Sequence, residues 1–299
     1  MTGRPAATTR RMGADGLDPV QPPREGPARG ALKTGQTGPD AGAPARNPWI
    51  AVGPREAPAI VFIHGTRLSR NQWLPQLRRL SGRYRCIAVD LPGHGLRGDE
   101  PFTLEAATTA VVQAIDAETP HRRAFLVGLS LGGYVAVETA EAYPDRVTGL
   151  VLAGCSAEPV GPVTMPFRGF AWLMEHVPAP GLRLLNLAFF RTRYRRAMAQ
   201  PIVDGGFWAD GGSTALRLLV GRRYLQRLAR LWTPITIING TFDPVFGPGG
   251  DAWAAAARRG HHVLIPWALH LSNLDRPTTF SRAVADAVED AATHPSAVS

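Results

Sequence analysis

Long apolar runs are absent from this sequence of 299 residues. A membrane-spanning helix needs roughly 20 consecutive apolar residues, whereas the richest segments, such as AIVFIHG at 59–65, end within about eight. We therefore expect no integral membrane segment. Arg10 and Arg11 stand near the N-terminus, but residues 12–48 contain no apolar region of the kind that an export signal requires. The interpretation is a cytoplasmic protein.

Lysine is almost missing, since Lys33 is the only one in the chain, while arginine is abundant. Lysine and arginine together number 33 against 24 acidic residues, which gives a formal net charge of +9. Such a balance can indicate binding to nucleic acid or to an anionic surface. The arginines are scattered over segments with helical periodicity, however, which is typical of solvated helix faces. We therefore expect no nucleic-acid partner.

Cysteine is scarce as well, with only Cys86 and Cys155 in the whole chain. This number is too small for a cysteine metal site and does not form a disulfide scaffold.

The composition and the pattern of apolar residues change along the chain. Residues 1–46 are rich in proline and glycine and cannot bury enough apolar surface to offset the entropy of ordering, so we predict a disordered tail. From 47 to 156, short apolar runs alternate with amphipathic segments, as in parallel strands joined by helical crossovers. Residues 157–232 replace this alternation with aromatic-rich helical segments, and 233–299 resume it. The prediction is an α/β core interrupted by a helical cap, residues 157–232.

One short stretch carries a candidate nucleophile. The segment 125–134, FLVGLSLGGY, places Ser130 between Gly128 and Gly132. A Gly-x-Ser-x-Gly pattern alone occurs often by chance. Here it follows a strand-like run and precedes a helix-like one, which is where a nucleophile elbow exposes its serine. Glycines lack the Cβ atoms that would clash across such a turn.

Motifs on both sides of Ser130 resemble those of the α/β-hydrolase superfamily over about residues 49–292. They are His64-Gly65 after an early strand, the turn Asp90-Leu-Pro-Gly-His-Gly95, Asp243 after the penultimate strand, and His270 after the last one. The resemblance implies an α/β-hydrolase fold, with a mostly parallel sheet flanked by helices. It also implies a catalytic triad of Ser130, Asp243 and His270 in the chain order usual for this fold.

The same resemblance implies an oxyanion hole and a mechanism. In the family, backbone N–H groups of the residue after His-Gly and of the residue after the nucleophile hold the oxyanion, and these are here Thr66 and Leu131. Ser130 would attack a carbonyl while His270 takes its proton, giving an acyl-enzyme. We expect no metal and no organic cofactor. A serine at this position argues against the family's dehalogenases and epoxide hydrolases, which use aspartate there.

Other residues compete for the same roles. His94 is an alternative base, although its Pro-Gly-His-Gly turn favours a structural role, and Asp251 and Asp275 are alternative acids. The remaining candidate histidines stand at strand entrances, the wrong edge of a parallel sheet for chemistry. They are His121, His261 and His262.

The family's strand order also bears on the cysteines and on one sheet edge. It places Cys86 and Cys155 on strands three steps apart, about 14 Å at the usual strand spacing and beyond the reach of a disulfide. We expect free thiols. Only WIAVG at 49–53 looks extended where the family has an opening hairpin, which leaves open whether this edge lacks a strand.

The aromatic-rich cap indicates an apolar substrate pocket. We expect Arg67, Phe170, Trp172, Trp208 and Trp267 to contact the substrate. The first hypothesis is a serine hydrolase that cleaves a carboxylic ester of a small to medium apolar substrate. One alternative is an enol-lactone hydrolase, because LSNLDRP at 271–277 resembles the end of such enzymes. The others are a C–C bond hydrolase, an enzyme that transfers the acyl group to an acceptor other than water, and a non-enzymatic ligand receptor that retains the triad. The expected partner is a small-molecule ester or lactone, and the oligomeric state stays open.

Overall fold

The structure is a computed structural model that describes residues 9–11 and 47–293. The disorder predicted for residues 1–46 therefore falls mainly on residues outside this description. Within that segment, Thr9–Arg11 forms a short strand.

A single sheet forms the centre of the fold. Its strands are β1 (Thr9–Arg11), β2 (Trp49–Val52), β3 (Ala59–Ile63), β4 (Arg85–Val89), β5 (Ala124–Leu129), β6 (Val147–Ala153), β7 (Ile235–Gly240) and β8 (Gly260–Ile265). The eight strands lie in the order β1-β8-β7-β6-β5-β3-β4-β2. Neighbouring strands are parallel except β2, which runs antiparallel to β4. The predicted mostly parallel sheet is confirmed.

Helices cover both faces of this sheet. They are α1 (Leu74–Leu80), α2 (Leu104–Glu118), α3 (Leu131–Ala142), α4 (Thr164–His176), α5 (Ala179–Arg193), α6 (Arg196–Asp204), α7 (Ala209–Leu219), α8 (Tyr224–Leu228), α9 (Gly250–Ala256), α10 (Ser272–Asp275) and α11 (Pro277–Thr293). Helices α2, α3 and α9 pack on one face, and α1 and α11 pack on the other.

The central strands are apolar throughout because each of their faces is covered. Alternate side chains of a strand point to opposite faces. In β3, Val61 and Ile63 join the apolar core under α2 and α3, while Ile60 and Phe62 join the core under α1 and α11. All of these side chains are fully buried.

The helical cap lies between β6 and β7 in the chain. Helices α4 and α7 pack against each other, as do α5 and α6. Helix α8 packs instead on α3 and α9 of the core, where Tyr224 contacts the rings of Tyr134 and Trp253. The part of the cap that covers the sheet edge therefore consists of α4 to α7.

The strands at the two edges of the sheet are β2 on one side and β1 on the other. Strand β2 is the outermost strand on its side, and among residues 9–11 and 47–293 no second strand completes a hairpin there. At the opposite edge, Thr9–Arg11 pairs in parallel with His262–Leu264 of β8. The N-terminal segment thus contributes a strand at the far edge, which the composition of residues 1–46 did not predict.

The cysteines are free and buried, as expected. Burial raises the pKa of the Cys86 thiol to about 12, and it also raises the pKa of Cys155. Both thiols therefore stay protonated and unreactive at neutral pH.

No helix in the described part of the chain is both long enough and apolar enough to cross a membrane. The same residues contain no group of three or more His, Cys, Asp or Glu side chains placed to hold a metal ion.

Candidate active site

Ser130 stands between β5 and α3 in a strained backbone conformation, with φ 54° and ψ −119°. Such a conformation costs on the order of 1–3 kcal/mol in a residue other than glycine and persists only where the surroundings enforce it. Here the Ser130 N–H donates to the carbonyl of Ala153 at 2.8 Å, and its own carbonyl accepts from the Gly133 N–H at 2.9 Å. The turn therefore fixes the serine at the carboxyl edge of the sheet.

Two glycines allow strand, turn and helix to cross this closely. A Cβ atom on Gly128 would lie 2.1 Å from the carbonyl oxygen of Gly132, and one on Gly132 would lie 2.1 Å from the carbonyl oxygen of Ile63. Any larger residue at either position would displace the turn that carries Ser130. The spacing Gly-x-Ser-x-Gly is thus required by the backbone.

Asp243 and His270 form a hydrogen-bonded pair. The Asp243 Oδ2 lies 3.0 Å from Nδ1 of His270, and its Oδ1 accepts from the N–H groups of Val245 and Phe246 at 3.1 Å each. Burial raises the pKa of the Asp243 carboxyl, but the hydrogen bonds outweigh this effect and hold the pKa below its usual value. The carboxylate therefore keeps the proton of His270 on Nδ1 and leaves Nε2 with a lone pair. The Phe246 ring stacks on the imidazole at 4.8 Å.

A cavity of about 510 Å³ lies over the carboxyl ends of β3, β5, β7 and β8, beneath the cap. Ser130, Asp243 and His270 line it together with Thr66 and Arg67. The rest of the lining is mainly apolar. Its aromatic members are Tyr134, Phe167, Phe170, Phe189, Phe190, Tyr194 and Phe246.

The loop after β3 leaves one backbone amide available to this cavity. The Gly65 N–H donates to Oε1 of Gln72 at 2.8 Å, the Arg67 N–H donates to Nε2 of His94 at 3.2 Å, and the Leu68 N–H donates to Gly65. Among the described residues the Thr66 N–H has no such partner. Leu131 is the first residue of α3, so its N–H also lacks an acceptor within the helix.

The fold is shared with known proteins. A family model for the alpha/beta hydrolase family matches residues 60–296. This chain belongs to the α/β-hydrolase family. The fold expected from the sequence motifs is therefore confirmed.

Two relatives and a solved structure are similar to this α/β hydrolase. A pimeloyl-[acyl-carrier protein] methyl ester esterase from Edwardsiella ictaluri is 39% identical over 247 residues, covering 76% of this chain and 92% of that protein. A 3-oxoadipate enol-lactonase from Acinetobacter baylyi is 28% identical over 242 residues, covering 76% and 87%. The structure of a thermophilic esterase from Thermogutta terrifontis shares the fold, with a TM-score of 0.65, 23% identity and coverage of 81% and 93%.

Two buried histidines of the hydrolase support the loop instead of facing the cavity. His64 accepts from the Leu91 N–H at 3.1 Å through Nε2 and therefore donates to the carbonyl of Gly65 through Nδ1. His94 accepts from Arg67 and donates to the carbonyl of Pro92 at 2.9 Å. Burial lowers the pKa of His64 to about 4 and that of His94 to about 3. Both rings are neutral at physiological pH, and both nitrogens of His94 are occupied, which argues against His94 as the base.

A pH profile tests this division between His94 and His270. A histidine that acts as general base is inactive once protonated, so kcat/KM should fall on the acid side of the profile. His94 does not titrate in the neutral range, so its loss should leave the midpoint of that fall unchanged. Instead, His94→Phe should lower kcat by about ten- to a hundredfold, because Arg67 loses the acceptor that fixes the loop beside the Thr66 amide.

The matched variant is His94→Gln, whose side-chain oxygen can still accept from the Arg67 N–H. We expect it to recover most of the rate lost in His94→Phe. Loss of the acid-side fall in both variants would instead make His94 the base.

The alternative acids of the hydrolase are bound elsewhere. Asp251 lies 2.8 Å from Nδ1 of His262, a second Asp–His pair whose residues are not part of the cavity lining described above. Asp275 accepts from Arg193 at 2.9 Å and from the Leu269 N–H at 2.8 Å. These partners leave Asp243 as the carboxylate bonded to His270.

Of the residues expected to contact the substrate, Arg67 and Phe170 line the cavity, whereas Trp172, Trp208 and Trp267 do not. Trp172 is 55% exposed and stacks on His176 on the outer face of α4. Trp208 directs its indole N–H to a carbonyl of the cap, and its own backbone N–H binds the carbonyl of Arg67 at 2.9 Å. Trp267 is 65% exposed.

The spacing of residues along α4 could have distinguished the aromatic side chains that line the cavity from those that face outward. On α4, Phe167 and Phe170 are three positions apart on the inner face, together with the buried Ala171 and Met174. This is the spacing of one side of a helix. Trp172 comes two positions after Phe170 and lies on the exposed side of the helix. Phe167, Phe189 and Phe190 line the cavity although the sequence did not single them out as substrate contacts.

Proposed function

We propose that this α/β hydrolase is a serine hydrolase that cleaves a carboxylic ester of a small to medium apolar substrate through an acyl-enzyme. The observation that carries the proposal is the convergence of Ser130, the bonded His270–Asp243 pair and the unpartnered Thr66 amide on one apolar cavity. The relatives named as a methyl ester esterase and an enol-lactonase support ester cleavage.

Acylation follows from the positions of the proton donors and acceptors. The Ser130 hydroxyl attacks the ester carbonyl as its proton passes to Nε2 of His270, and Asp243 stabilises the imidazolium that forms. The tetrahedral intermediate then collapses, the alkoxy group leaves with the proton of His270, and the acyl group remains on Ser130. Water repeats these steps and releases the carboxylic acid.

The negative charge of each intermediate needs hydrogen-bond donors that are in place before reaction. Thr66 lines the same cavity as Ser130, and Leu131 follows Ser130 at the start of α3, so each offers a backbone N–H group near the serine. The N-terminal end of α3 adds a favourable dipole. Removal of one such donor in other enzymes costs about 3–4 kcal/mol. The hydrogen bonds of the Gly65 and Arg67 N–H groups hold the backbone before and after Thr66.

A lactone is the second candidate substrate. A lactone is a cyclic ester, so the same attack opens the ring and leaves the alcohol attached to the acyl group. The relative named 3-oxoadipate enol-lactonase supports this alternative. Turnover of esters or lactones would also separate an enzyme from a receptor that retains the triad.

A panel of 4-nitrophenyl esters of increasing acyl length tests the proposal. We expect turnover with a graded optimum at short to medium chains, because each methylene that fits an apolar pocket contributes about 1–3 kcal/mol. Phe170→Ala should move the optimum toward longer chains by enlarging the cavity. Trp172→Ala is the matched control on the same helix and should leave the ranking unchanged. Failure to hydrolyse any ester in the panel would contradict the proposal.

A further inference from the structure

Arg67 places a cation inside the apolar cavity, one residue from the proposed oxyanion amide. Its backbone adopts φ 57°, and it is fixed at both ends by bonds from its N–H to His94 and from the Trp208 N–H to its carbonyl. Its guanidinium extends beneath the cap, where it donates to Oδ1 of Asn186 on α5 and lies 5.2 Å from the ring centre of Phe170 on α4. The strained loop therefore directs this side chain into the pocket.

The charges around the cavity balance except at Arg67. Arg193, which also lines it, pairs with Asp275 at 2.9 Å, and Asp243 is bonded to His270. Within residues 47–293 no carboxylate lies within ion-pair distance of Arg67. Burial lowers the pKa of Arg67 to about 10, so the group remains charged at neutral pH without a protein counter-ion. A charge removed from water is costly unless it is paired.

Outside the proposed catalytic groups, the other polar side chains that line the cavity already have hydrogen-bond partners, whereas most donors of Arg67 have none among the described residues. Tyr134 donates to a backbone carbonyl, Tyr194 donates to Asp275, and the Thr66 hydroxyl donates to the carbonyl of Gly212. A guanidinium carries five N–H donors, and the described residues supply one acceptor to it, on Asn186. Its other donors are the main unused hydrogen-bonding capacity of the lining outside the proposed catalytic groups.

We infer that Arg67 binds a carboxylate on the substrate, so that this hydrolase prefers esters carrying a carboxylate beyond an apolar spacer. The inference rests on the proposed function and refines its substrate class. A guanidinium matches a carboxylate with two parallel hydrogen bonds, which adds direction to the charge attraction. The aromatic walls would enclose the spacer, while the scissile carbonyl sits at Ser130.

The carboxylate could belong to the acyl part or to the alcohol part, and two series of substrates separate these sources. The first pairs 4-nitrophenyl monoesters of linear dicarboxylic acids with 4-nitrophenyl esters of fatty acids of equal length. The second pairs acetates of ω-hydroxy acids with acetates of simple alcohols. In one series, at its optimal length, the wild-type protein should show kcat/KM at least about tenfold higher for the anionic member, as for a hydrogen bond to a charged group.

Variants of Arg67 then test whether this residue causes the preference. Arg67→Gln and Arg67→Met should lower the ratio of anionic to neutral kcat/KM by about tenfold or more, and Arg67→Lys should keep part of it. The ratio cancels any general effect of the substitution on the oxyanion loop. Arg168→Gln removes the same charge from the exposed face of α4 and should leave the ratio unchanged. Equilibrium binding of linear dicarboxylates to the wild type and to Arg67→Gln gives a readout independent of turnover.

The outcomes are distinct. A ratio near one in both series, or a preference that survives in Arg67→Gln, overturns the inference even when neutral esters are hydrolysed through Ser130. Ester hydrolysis that persists in Ser130→Ala overturns the proposed function instead, and dicarboxylate binding then decides the role of Arg67. If the Arg67 variants do not fold, the wild-type ratios decide it alone.

Discussion

Replacing Ser130 by alanine should lower kcat for an activated ester by at least about a thousandfold, as loss of the nucleophile does in known serine hydrolases. The fold should survive, because the backbone bonds to Ala153 and Gly133 that hold the turn do not involve the side chain. Melting temperature and kcat measured on the same preparation separate loss of chemistry from loss of structure.

Rapid mixing of the wild type with the same ester gives an independent view of Ser130. If deacylation is slower than acylation, 4-nitrophenol should appear in a burst equal to the enzyme concentration. Ser130→Ala should show no burst. Ser281→Ala provides a matched control, since Ser281 is also a buried serine but bonds within α11, and it should keep both burst and steady rate. A full rate in Ser130→Ala would show that Ser130 is not the nucleophile and serves only as a small residue in the turn.

The sequence predicted those parts of the molecule that depend on local backbone rules. Gly128 and Gly132 predict an elbow because close crossing requires glycine at both positions, and a Cβ atom on either one would lie 2.1 Å from a carbonyl oxygen. The apolar run of β3 predicts a strand covered on both faces because no polar residue interrupts it. Parallel topology then follows from the alternation of strands and helices.

Other features depend on tertiary contacts that no local pattern reveals. Arg67 adopts a positive φ although it is not a glycine, so the sequence does not indicate this conformation. The backbone there is held by hydrogen bonds to the His94 ring and to Trp208, which precedes α7, and both residues are distant in sequence. The aromatic residues of the cap could be counted from the sequence, but their direction depends on which helix faces meet the core. Trp172 and Trp267 were expected at the pocket, yet both are mostly exposed.

The strand in the N-terminal segment could not be predicted from the sequence either. Thr9–Arg11 has neither apolar periodicity nor flanking strand signals, and its pairing depends on the free edge that β8 offers. Edge pairing is made by backbone N–H and C=O groups, which a short polar segment carries as well as an apolar one does. Composition could not indicate it.

Asp243→Asn should lower kcat by about 10⁴, as loss of the corresponding carboxylate does in a known triad. The surroundings explain why so small a change has so large an effect. Oδ1 of Asp243 accepts from the N–H groups of Val245 and Phe246, so the amide oxygen of asparagine must take that position and its NH₂ must face His270. Nδ1 of His270 then becomes an acceptor and the proton moves to Nε2. The imidazole can no longer take the proton of Ser130.

Asp243→Ala should then be no more damaging than Asp243→Asn, since alanine leaves His270 free to adopt the active tautomer. Steady-state kcat and the ring-nitrogen NMR signals of His270 in both variants provide the measurement. The matched control is Asp251→Asn, which alters the other Asp–His pair, with Asp251 lying 2.8 Å from His262, and should leave kcat within about twofold. If Asp243→Asn retains substantial activity while Asp251→Asn loses it, the acid of the triad is Asp251. If both retain activity, His270 does not depend on a carboxylate, and orientation of its ring must come from the stacked Phe246.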